Sequence, residues 1–443
     1  MAAYDAIVIG TGQAGPSLAF RLAGTGMKVA VIERHLVGGT CVNTGCTPTK
    51  ALVASAYAAR ITRHAAEYGV VIGGDIGIDM PRVKARKDAI VAASRNGLTS
   101  ALENAANITF YRGHARFASP RAVEVAGERL RAERIFINVG GQALVPPMPG
   151  ITEVPYLTNS TMMDVDFLPH HLIIVGGSYI GLEFGQMYRR FGSQVTIIEM
   201  AARLVRHEDE DVSAAIKDIV EREGVEVRLN AECISLAKRG HEIIAKVDCT
   251  DGAPEVAGSH LLLAVGRRPN TDDLELDKAG VRCDERGYIV VDDQLQTTVP
   301  GIWALGDCNG KGAFTHTAYN DFEIVAANLL DHDPRPVSDR ITAYALYTDP
   351  PLGRVGMTLA DARSSGRRVL AGERPMTRVA RAVEKGETQG FVRILVDGDS
   401  KEILGASLLG TGCDEAVHVI LDLMYAKVSY TIMQRAMHIH PTS

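Results

Sequence analysis

Two segments of the chain carry the same glycine-rich pattern, and this repeat constrains the fold more than any other feature. In the first, the apolar run YDAIVIG leads into GTGQAG, which places Gly10, Gly12 and Gly15 in the GxGxxG spacing. An apolar helical pattern over 17–26 and the run KVAVIE, ending in Glu33, complete a strand–turn–helix–strand unit. Such glycines let the backbone approach a pyrophosphate at the helix N-terminus, and the terminal acid accepts from a ribose hydroxyl. The unit predicts a dinucleotide site; the alternative is a glycine-rich turn in another kind of α/β protein.

The second copy of the pattern is imperfect at one glycine. HLIIVGGSYIGLEFG reads as strand, glycine turn and helix, and the following run VTIIE ends in Glu199. Gly176 and Gly181 occupy fingerprint positions, whereas Ser178 stands where the middle glycine is expected. Serine is small enough to leave a close backbone approach possible, so the sequence predicts a second dinucleotide here.

The rest of the chain extends this duplication and then departs from it. FINVGGQALVPPMPG at 136–150 and HLLLAVGRRPNT at 260–271 are similar strand-and-turn units, which favours two related cofactor domains. Beyond about 336, short alternating strands precede a helical pattern over 414–426, with no glycine fingerprint. We therefore predict an α/β protein with two Rossmann-like domains and a C-terminal α+β domain. The predicted boundaries are 1–150 with 270–335, 151–269, and 336–443.

Composition excludes several classes of protein. The net charge of −6 over 443 residues gives no reason to expect nucleic acid or an anionic membrane as a partner. No apolar run approaches the ~20 residues of a transmembrane helix, and the N-terminus lacks the features of a signal peptide. Mostly unpaired cysteines suit a reducing compartment, so the prediction is a cytoplasmic protein. Five of the seven cysteines are interpreted as packing residues: Cys233, Cys249, Cys283, Cys308 and Cys413.

The remaining two cysteines lie in GGTCVNTGCTPTK, just before an alanine-rich helical pattern. Residues five apart on a regular helix have Cα atoms ~8.6 Å apart, whereas a disulfide spans at most ~7 Å. Either Cys41 and Cys46 never pair, or the first turn is distorted, as Gly45 and Pro48 would permit. A helix N-terminus also favours a thiolate. We interpret the pair as a redox-active disulfide; two buried free thiols or half of a metal site are the alternatives.

Two further residues are candidates from their positions alone. TTVPGIWALGDC reads as a strand ending at Asp307, where an acid beside a cofactor domain is expected to contact the cofactor, although an ordinary turn aspartate fits as well. His440 precedes a proline in HIHPTS and is either a surface residue or a catalytic one.

Taken together, the cysteine pair before PTK, both fingerprints, the 260–271 unit, ALGDC and HPT occur in one order. That order resembles the class I pyridine nucleotide–disulfide oxidoreductases, which include dihydrolipoamide dehydrogenase, glutathione reductase and mercuric reductase. The resemblance extends over essentially the whole chain, and GCTPTKALVASA is most similar to mercuric reductase-like proteins. It implies FAD in the first domain, NAD(P)H in the second, and a homodimer formed through the third.

The resemblance also implies roles for individual residues. Glu33 would meet the FAD ribose, Asp307 the ribityl chain and the Ala115 backbone the adenine end, while Lys50 would lie near flavin N5, paired with Glu183. The implied FAD-binding set is Gly10, Gly12, Gly15, Glu33, Thr40, Lys50, Ala115, Gly141 and Asp307. The implied NAD(P)-binding set is Gly176, Ser178, Tyr179, Gly181, Glu183, Glu199, Arg206 and Gly266, with Tyr179 as a lid over the flavin.

For catalysis, the resemblance implies that electrons reach the Cys41–Cys46 disulfide from NAD(P)H through FAD. Cys46 becomes the thiolate in contact with the flavin, and Cys41 attacks the substrate. His440 of the partner subunit acts as acid and base for Cys41, so each active site needs two chains. No metal ion is expected in the protein.

Departures from the family pattern narrow the choice of acceptor. The chain lacks the C-terminal cysteine pair typical of mercuric reductases and carries HPT instead, which disfavours mercury reduction. The glutamate that follows the histidine in disulfide-reducing members would fall beyond Ser443, so either the chain is shortened or His440 works without it. A disulfide or dithiol is the predicted substrate; a metal ion, quinone or oxygen as acceptor, or a binding protein with structural flavin, are the alternatives. Glu199 slightly favours NADH, although Arg203 and Arg206 are placed to reach a 2′-phosphate.

Overall fold

The computed structural model describes residues 2–248 and 253–442, and the chain divides into two compact units. The first unit comprises the chain through Ala51 together with Arg82–Leu144 and Gly266–Arg340. The second comprises Leu52–Pro81, Val145–Val265 and the chain from Ile341 onward.

A five-stranded parallel sheet forms the centre of the first unit. Its strands, in spatial order, are Ile302–Ala304, Arg134–Ile137, Ala6–Ile9, Val29–Glu33 and Ile108–Arg112. The central strands are continuous apolar runs because both faces of the sheet are covered. The predicted strands at 4–10 and 28–33 are confirmed, whereas the fingerprint helix spans Ala14–Ala23, earlier than the predicted 17–26. Pro16 is tolerated there because it lies in the first turn, where its missing N–H costs nothing.

The segment 128–137 is divided between two sheets. Its first part, Glu128–Arg131, pairs antiparallel with Ala122–Val125. The following strand, Arg134–Ile137, instead lies parallel between two strands of the central sheet. Ile135, Phe136 and Ile137 are all 0% exposed, the pattern of a strand buried on both faces.

The second unit repeats the strand–turn–helix–strand arrangement. Its parallel sheet consists, in order, of Glu226–Arg228, Gln194–Ile198, His171–Val175 and His260–Leu263. The fingerprint helix is Tyr179–Phe191, and a second helix spans Glu210–Arg222. An antiparallel sheet of Glu232–Arg239, Glu242–Asp248 and Glu255–Gly258 accompanies them.

The C-terminal part of this unit is an antiparallel sheet covered by a helix, as predicted. The strand order is Ala343–Leu346, Leu352–Gly356, Ile403–Leu409, Phe391–Asp397 and Val369–Pro375. The covering helix is Cys413–Tyr425, one residue earlier than the predicted 414–426. The other α-helices are Gly39–Asn43, Cys46–Arg63, Met80–Asn104, Thr315–Ala326, Leu359–Ser364, Ala380–Glu384 and Thr431–Arg435.

The cysteines assigned to packing do not all behave alike. Cys308 and Cys413 are buried, as interpreted, but Cys283 is exposed because its strand-like context is only an isolated bridge to Ile289. Cys249 lies outside the described residues. Among residues 2–248 and 253–442, no helix has both the length and the hydrophobicity that crossing a membrane requires.

The first fingerprint turn can be tested by adding a single methyl group. A Cβ at Gly15 would lie 2.2 Å from the carbonyl oxygen of Gly10, so Gly15→Ala must push the helix away from the strand. We expect a loss of about 1–3 kcal/mol in unfolding free energy, measured as a lower thermal midpoint. The matched control is Gly97→Ala on the helix Met80–Asn104, where a Cβ meets nothing within 4 Å. An equal loss of stability in both variants would contradict the close-approach argument.

Candidate active site

The two candidate cysteines lie on separate, consecutive helices. Cys41 is in the short helix Gly39–Asn43, and Cys46 is the first residue of Cys46–Arg63. Between them Thr44 leaves helical geometry, with φ −141° and ψ 14°. This interruption is the distortion that the spacing demands if the two cysteines are to pair, and the two thiols are hydrogen-bonded to each other.

Gly45 makes the interruption possible. A Cβ at this position would lie 2.8 Å from the carbonyl oxygen of Thr40 and 3.2 Å from the Cα of Cys41. Any other residue at position 45 would push the helices Gly39–Asn43 and Cys46–Arg63 apart. The close approach of these two segments therefore depends on a glycine between the cysteines.

The surroundings of the pair place the negative charge on Cys46. The hydrogen bond from Cys41 lowers the pKa of Cys46 to about 6, with further lowering from the Thr315 hydroxyl, at 2.9 Å from the sulfur, and from the charge of Lys50. The same hydrogen bond between the two thiols raises the pKa of Cys41, and burial of Cys41 raises it further. At neutral pH the reduced pair is accordingly a Cys46 thiolate beside a protonated Cys41.

The first glycine fingerprint forms a turn that side chains cannot enter. Gly10 has φ +102°, and a Cβ there would lie 2.3 Å from the carbonyl oxygen of Asn138. The Asn138 side-chain amide donates to the Gly12 carbonyl at 3.1 Å and so fixes the turn from a neighbouring strand end. Asn138 did not stand out in the sequence, because nothing local distinguishes it from any residue that ends a strand.

The acid at the end of the next strand is held by the same turn. Glu33 Oε2 accepts from the Thr11 backbone N–H at 3.0 Å and from its hydroxyl, and Oε1 accepts from the His35 N–H at 2.8 Å. The carboxylate is thereby oriented at the mouth of the glycine turn. This is the position from which an acid accepts from a ribose hydroxyl.

Three of the predicted FAD-binding residues meet at one arginine. Arg267 Nη2 hydrogen-bonds the Gly141 carbonyl and lies 3.4 Å from the Thr40 hydroxyl and 3.6 Å from Asp307 Oδ2. Arg267 comes from the 260–271 unit and Gly141 from the similar 136–150 unit, whose strands Arg267–Pro269 and Gly141–Ala143 pair with each other. A cavity of about 160 Å³ opens beside Gly141, Arg267 and Asp307.

The residues present here fit a bound dinucleotide. The cradle at Gly10 and Gly15 is one that a Cβ would fill, and the Arg267 guanidinium supplies positive charge beside Gly141 and Asp307. Burial raises the pKa of Asp307, which is the behaviour of an acid placed to meet a polar ligand group. Ala115, expected at the adenine end, is buried in the turn before the strand Arg116–Ser119.

The second fingerprint repeats these features with different side chains. Gly176 has φ +114°, and a Cβ at Gly181 would lie 1.9 Å from the Gly176 carbonyl oxygen. Ser178 is the N-cap of the helix Tyr179–Phe191, so replacing the middle glycine leaves the helix start intact. Gly266, in the first unit, has φ +123°.

The acid of the second copy is also held by backbone N–H groups. Glu199 Oε2 accepts from Gly177 at 2.6 Å, and Oε1 accepts from Ala201 at 2.8 Å. Gly177 was not singled out in the sequence, although a Cβ there would lie 3.0 Å from the Glu199 Cβ. Glu183 is buried and accepts from the Tyr347 N–H at 3.1 Å, whereas Arg206 is exposed.

Comparison with known proteins agrees with this geometry. Residues 4–321 match the family described as pyridine nucleotide-disulphide oxidoreductase, and residues 342–443 match its dimerisation domain. The chain is 37% identical to the probable pyridine nucleotide-disulfide oxidoreductase RclA of Escherichia coli (strain K12), covering 99% of this chain and 96% of that protein. It is 32% identical to a dihydrolipoyl dehydrogenase of Chlamydia muridarum (strain MoPn / Nigg), covering 99% and 94%.

A solved structure gives the same result. The Cu(II) complex of the HOCl-induced flavoprotein disulfide reductase RclA from Escherichia coli superposes with a TM-score of 0.91. It is 35% identical, and the superposition covers 100% of this chain and 97% of that chain. The chain belongs to the pyridine nucleotide–disulfide oxidoreductase family.

Family membership confirms the predicted fold class, enzyme class and cofactors. The protein is a flavoprotein disulfide oxidoreductase that uses FAD and NAD(P)H, and its C-terminal domain is the one through which this family forms homodimers. His440 lies on the exposed segment after the helix Thr431–Arg435, between Ile439, which is 81% exposed, and Pro441.

Thr315 offers a direct test of the charge distribution in the cysteine pair. Thr315→Val removes a hydroxyl that stabilises the thiolate, so the apparent pKa of the reduced pair should rise by roughly one unit. The ultraviolet thiolate absorbance of the reduced protein, followed against pH, measures this shift. Thr62→Val is the control. Thr62 lies on the same helix as Cys46, but its hydroxyl donates to the Ala58 carbonyl. An unchanged titration in Thr315→Val would show that Thr315 does not stabilise the thiolate.

Proposed function

We propose that Cys41 and Cys46 form the redox-active pair of this FAD-dependent NAD(P)H:disulfide oxidoreductase. The observation that carries the proposal is the unequal pair itself, in which one thiol donates to the other and lowers its pKa to about 6. An unequal pair suits thiol–disulfide exchange, because one sulfur is a ready thiolate and the other is held as a thiol until it is needed.

The cofactor-binding roles follow from the two fingerprints. When bound, FAD takes a hydride from NAD(P)H and supplies an electron pair to a disulfide. The glycine cradle and Glu33 would hold its ribose and pyrophosphate, while Arg267 would offer positive charge beside Thr40, Gly141 and Asp307. Lys50 would keep positive charge close to Cys46, which stabilises the thiolate.

The acceptor step is a balanced thiol–disulfide exchange. Cys41 gives its proton to His440 of the partner subunit, and its sulfur attacks the acceptor disulfide; the first acceptor thiolate leaves and takes a proton from that imidazole. The Cys46 thiolate then attacks Cys41, which reforms the Cys41–Cys46 disulfide and releases the second acceptor sulfur as a thiolate, which takes a proton from solvent. A base is needed because the pKa of Cys41 is raised, and histidine is the side chain that most often serves as a general base.

The domain arrangement proposed for this chemistry follows the sequence changes. The FAD-binding domain would consist of 1–150 and 270–335, the NAD(P)-binding domain of 151–269, and the dimerisation domain of 336–443. An active site shared between subunits is supported by the exposed position of His440 near the C-terminus. A cytoplasmic location remains a prediction from the free cysteines.

We infer a slight preference for NADH. Glu199 has both carboxylate oxygens oriented by backbone N–H groups, and a fixed negative charge there repels a 2′-phosphate while accepting from a ribose hydroxyl. Arg206 is exposed, and the Arg203 guanidinium donates to the Arg206 carbonyl at 3.1 Å instead of extending toward a ligand.

An anaerobic titration of the oxidised holoenzyme with NADH, and separately with NADPH, tests the electron path. We expect a long-wavelength absorbance band from the Cys46 thiolate beside the flavin, at lower concentrations of NADH than of NADPH. Cys46→Ser should abolish the band, and the control Cys283→Ser, which changes an exposed cysteine, should retain it. Flavin bleaching without the band in the unmodified enzyme would rule out electron transfer to the cysteine pair.

A second candidate acceptor is a metal ion, favoured by the Cu(II) complex of the similar protein RclA. Within the described part of the chain, no group of three or more His, Cys, Asp or Glu side chains is arranged to hold a metal ion. Reduction of a metal ion at the cysteine pair would need none of the proton transfers to a leaving sulfur that reduction of a disulfide requires.

His440 separates the two acceptors. His440→Asn should lower kcat for disulfide reduction by about 10²- to 10⁴-fold, because the acid–base group is lost, and should leave metal-ion reduction nearly unchanged. The control is His438→Asn, since His438 lies two residues away and contacts the Met433 carbonyl. If the His440→Asn variant still reduces disulfides at the original rate, the result would favour a metal ion as the acceptor.

A further inference from the structure

A row of polar side chains crosses the C-terminal antiparallel sheet. Tyr344 is directly paired with Arg354 on the next strand, and Arg354 with Ser407 on the strand after that. Directly paired residues lie on one face, so the three side chains are neighbours. Arg354 is 1% exposed, and its Nη1 donates to the Ser407 hydroxyl.

A buried carboxylate meets this row. The Glu208 side chain is 0% exposed, and its Oε2 lies 3.7 Å from Arg354 Nη1. Its Oε1 accepts from the Tyr344 hydroxyl. Asp209, the next residue, also lies 3.7 Å from Arg354 and caps the start of the helix Leu359–Ser364 through the Leu359 N–H at 2.9 Å. The Tyr344 hydroxyl is thus fixed by a group that is itself held from several sides.

Tyr344 in turn contacts Tyr179, the first residue of the second fingerprint helix. The two rings meet edge to face, with centroids 5.6 Å apart and an interplanar angle of 79°. The hydroxyls are hydrogen-bonded. Burial raises the pKa of Tyr179 to about 12, so Tyr179 keeps its hydroxyl proton at neutral pH.

The segment that follows the Tyr344 strand also holds the body of the helix. The Tyr347 N–H donates to Glu183 at 3.1 Å, and the Asp349 N–H donates to Gln186 at 2.8 Å. Positions 179, 183 and 186 share one face of the helix Tyr179–Phe191. The helix is therefore held by this segment, and Tyr179 can change position only by rotating its side chain away from Tyr344.

We propose that Tyr344 is a positioning residue that latches Tyr179, so that a nicotinamide dinucleotide has to break the Tyr179–Tyr344 hydrogen bond when it enters. The inference rests on the proposed role of Tyr179 as the lid of the nicotinamide site. Glu208 and Arg354 set the strength of the latch, because they orient the Tyr344 hydroxyl. Part of the binding energy of the nucleotide is spent on opening the latch, which raises its apparent Kd.

Removing the latch hydroxyl should tighten nucleotide binding. In the oxidised holoenzyme, Tyr344→Phe should lower the Kd of NAD⁺, measured by calorimetry, by about three- to tenfold, the value of one hydrogen bond. The KM for NADH should fall by a similar factor, with kcat unchanged where acceptor reduction limits turnover. Tyr179→Phe should lower the Kd of NAD⁺ by a similar factor, and the double variant should bind no more tightly than either single variant, since both substitutions remove the same hydrogen bond.

A control variant and the pattern of outcomes distinguish the Tyr179–Tyr344 latch from the role of Tyr179 as the lid of the nicotinamide site. Tyr188→Phe removes a buried hydroxyl from the same helix and should leave the Kd unchanged. An unchanged or weaker affinity in Tyr344→Phe, with tighter binding in Tyr179→Phe, would overturn the latch and leave the lid in place. Unchanged affinity in both variants would overturn the latch together with the proposed lid. Additive effects in the double variant would also overturn the latch.

Discussion

The chemistry of this protein depends on one hydrogen bond, from the Cys41 thiol to the Cys46 sulfur. Both groups are thiols, but this bond makes Cys46 the more acidic of the two and keeps the proton on Cys41. Because the pKa of Cys46 falls from 9.0 to about 6, the thiolate stabilises the folded, reduced protein fully above pH 9, and this contribution is lost as the pH falls through about 6. At neutral pH about a third of it is present, which favours reduction of the pair, since any group that stabilises the dithiol form raises its reduction potential.

The two fingerprint units orient their strand-end carboxylates in the same way. In each, a carboxylate at the end of a strand accepts from the backbone N–H of the residue after the first turn glycine, Thr11 in one unit and Gly177 in the other. A backbone N–H is present whichever side chain the residue carries, proline excepted. This hydrogen bond to the carboxylate is therefore kept when the sequence of the turn changes. That independence explains why Ser178 can replace a glycine in the second unit while Glu199 keeps the orientation that Glu33 has in the first.

Sequence reasoning succeeded where a constraint is local. The glycine turns, the strand-end acids and the broken helix between the cysteines each follow from a few consecutive residues, and each is present. It failed where a contact joins distant segments: Thr315 reaches Cys46 across 269 positions, and Arg267 reaches Thr40 across 227. Neither residue has a local feature that distinguishes it, and only the fold brings it to the site.

The polar row around Glu208 holds the Tyr344 side chain in place. Glu208 Oε2 and Arg354 Nη2 have no hydrogen-bond partner among the described residues, although both atoms are buried. Such atoms are costly, and the attraction between the two opposite charges offsets that cost only in the present arrangement. The network therefore resists displacement, and the Tyr344 hydroxyl stays where it is. Tyr179, at the start of its helix, meets this network through its contact with Tyr344. Under the proposed latch, motion on nucleotide entry is accordingly confined to the Tyr179 side chain, with the sheet that holds Tyr344 acting as a rigid support.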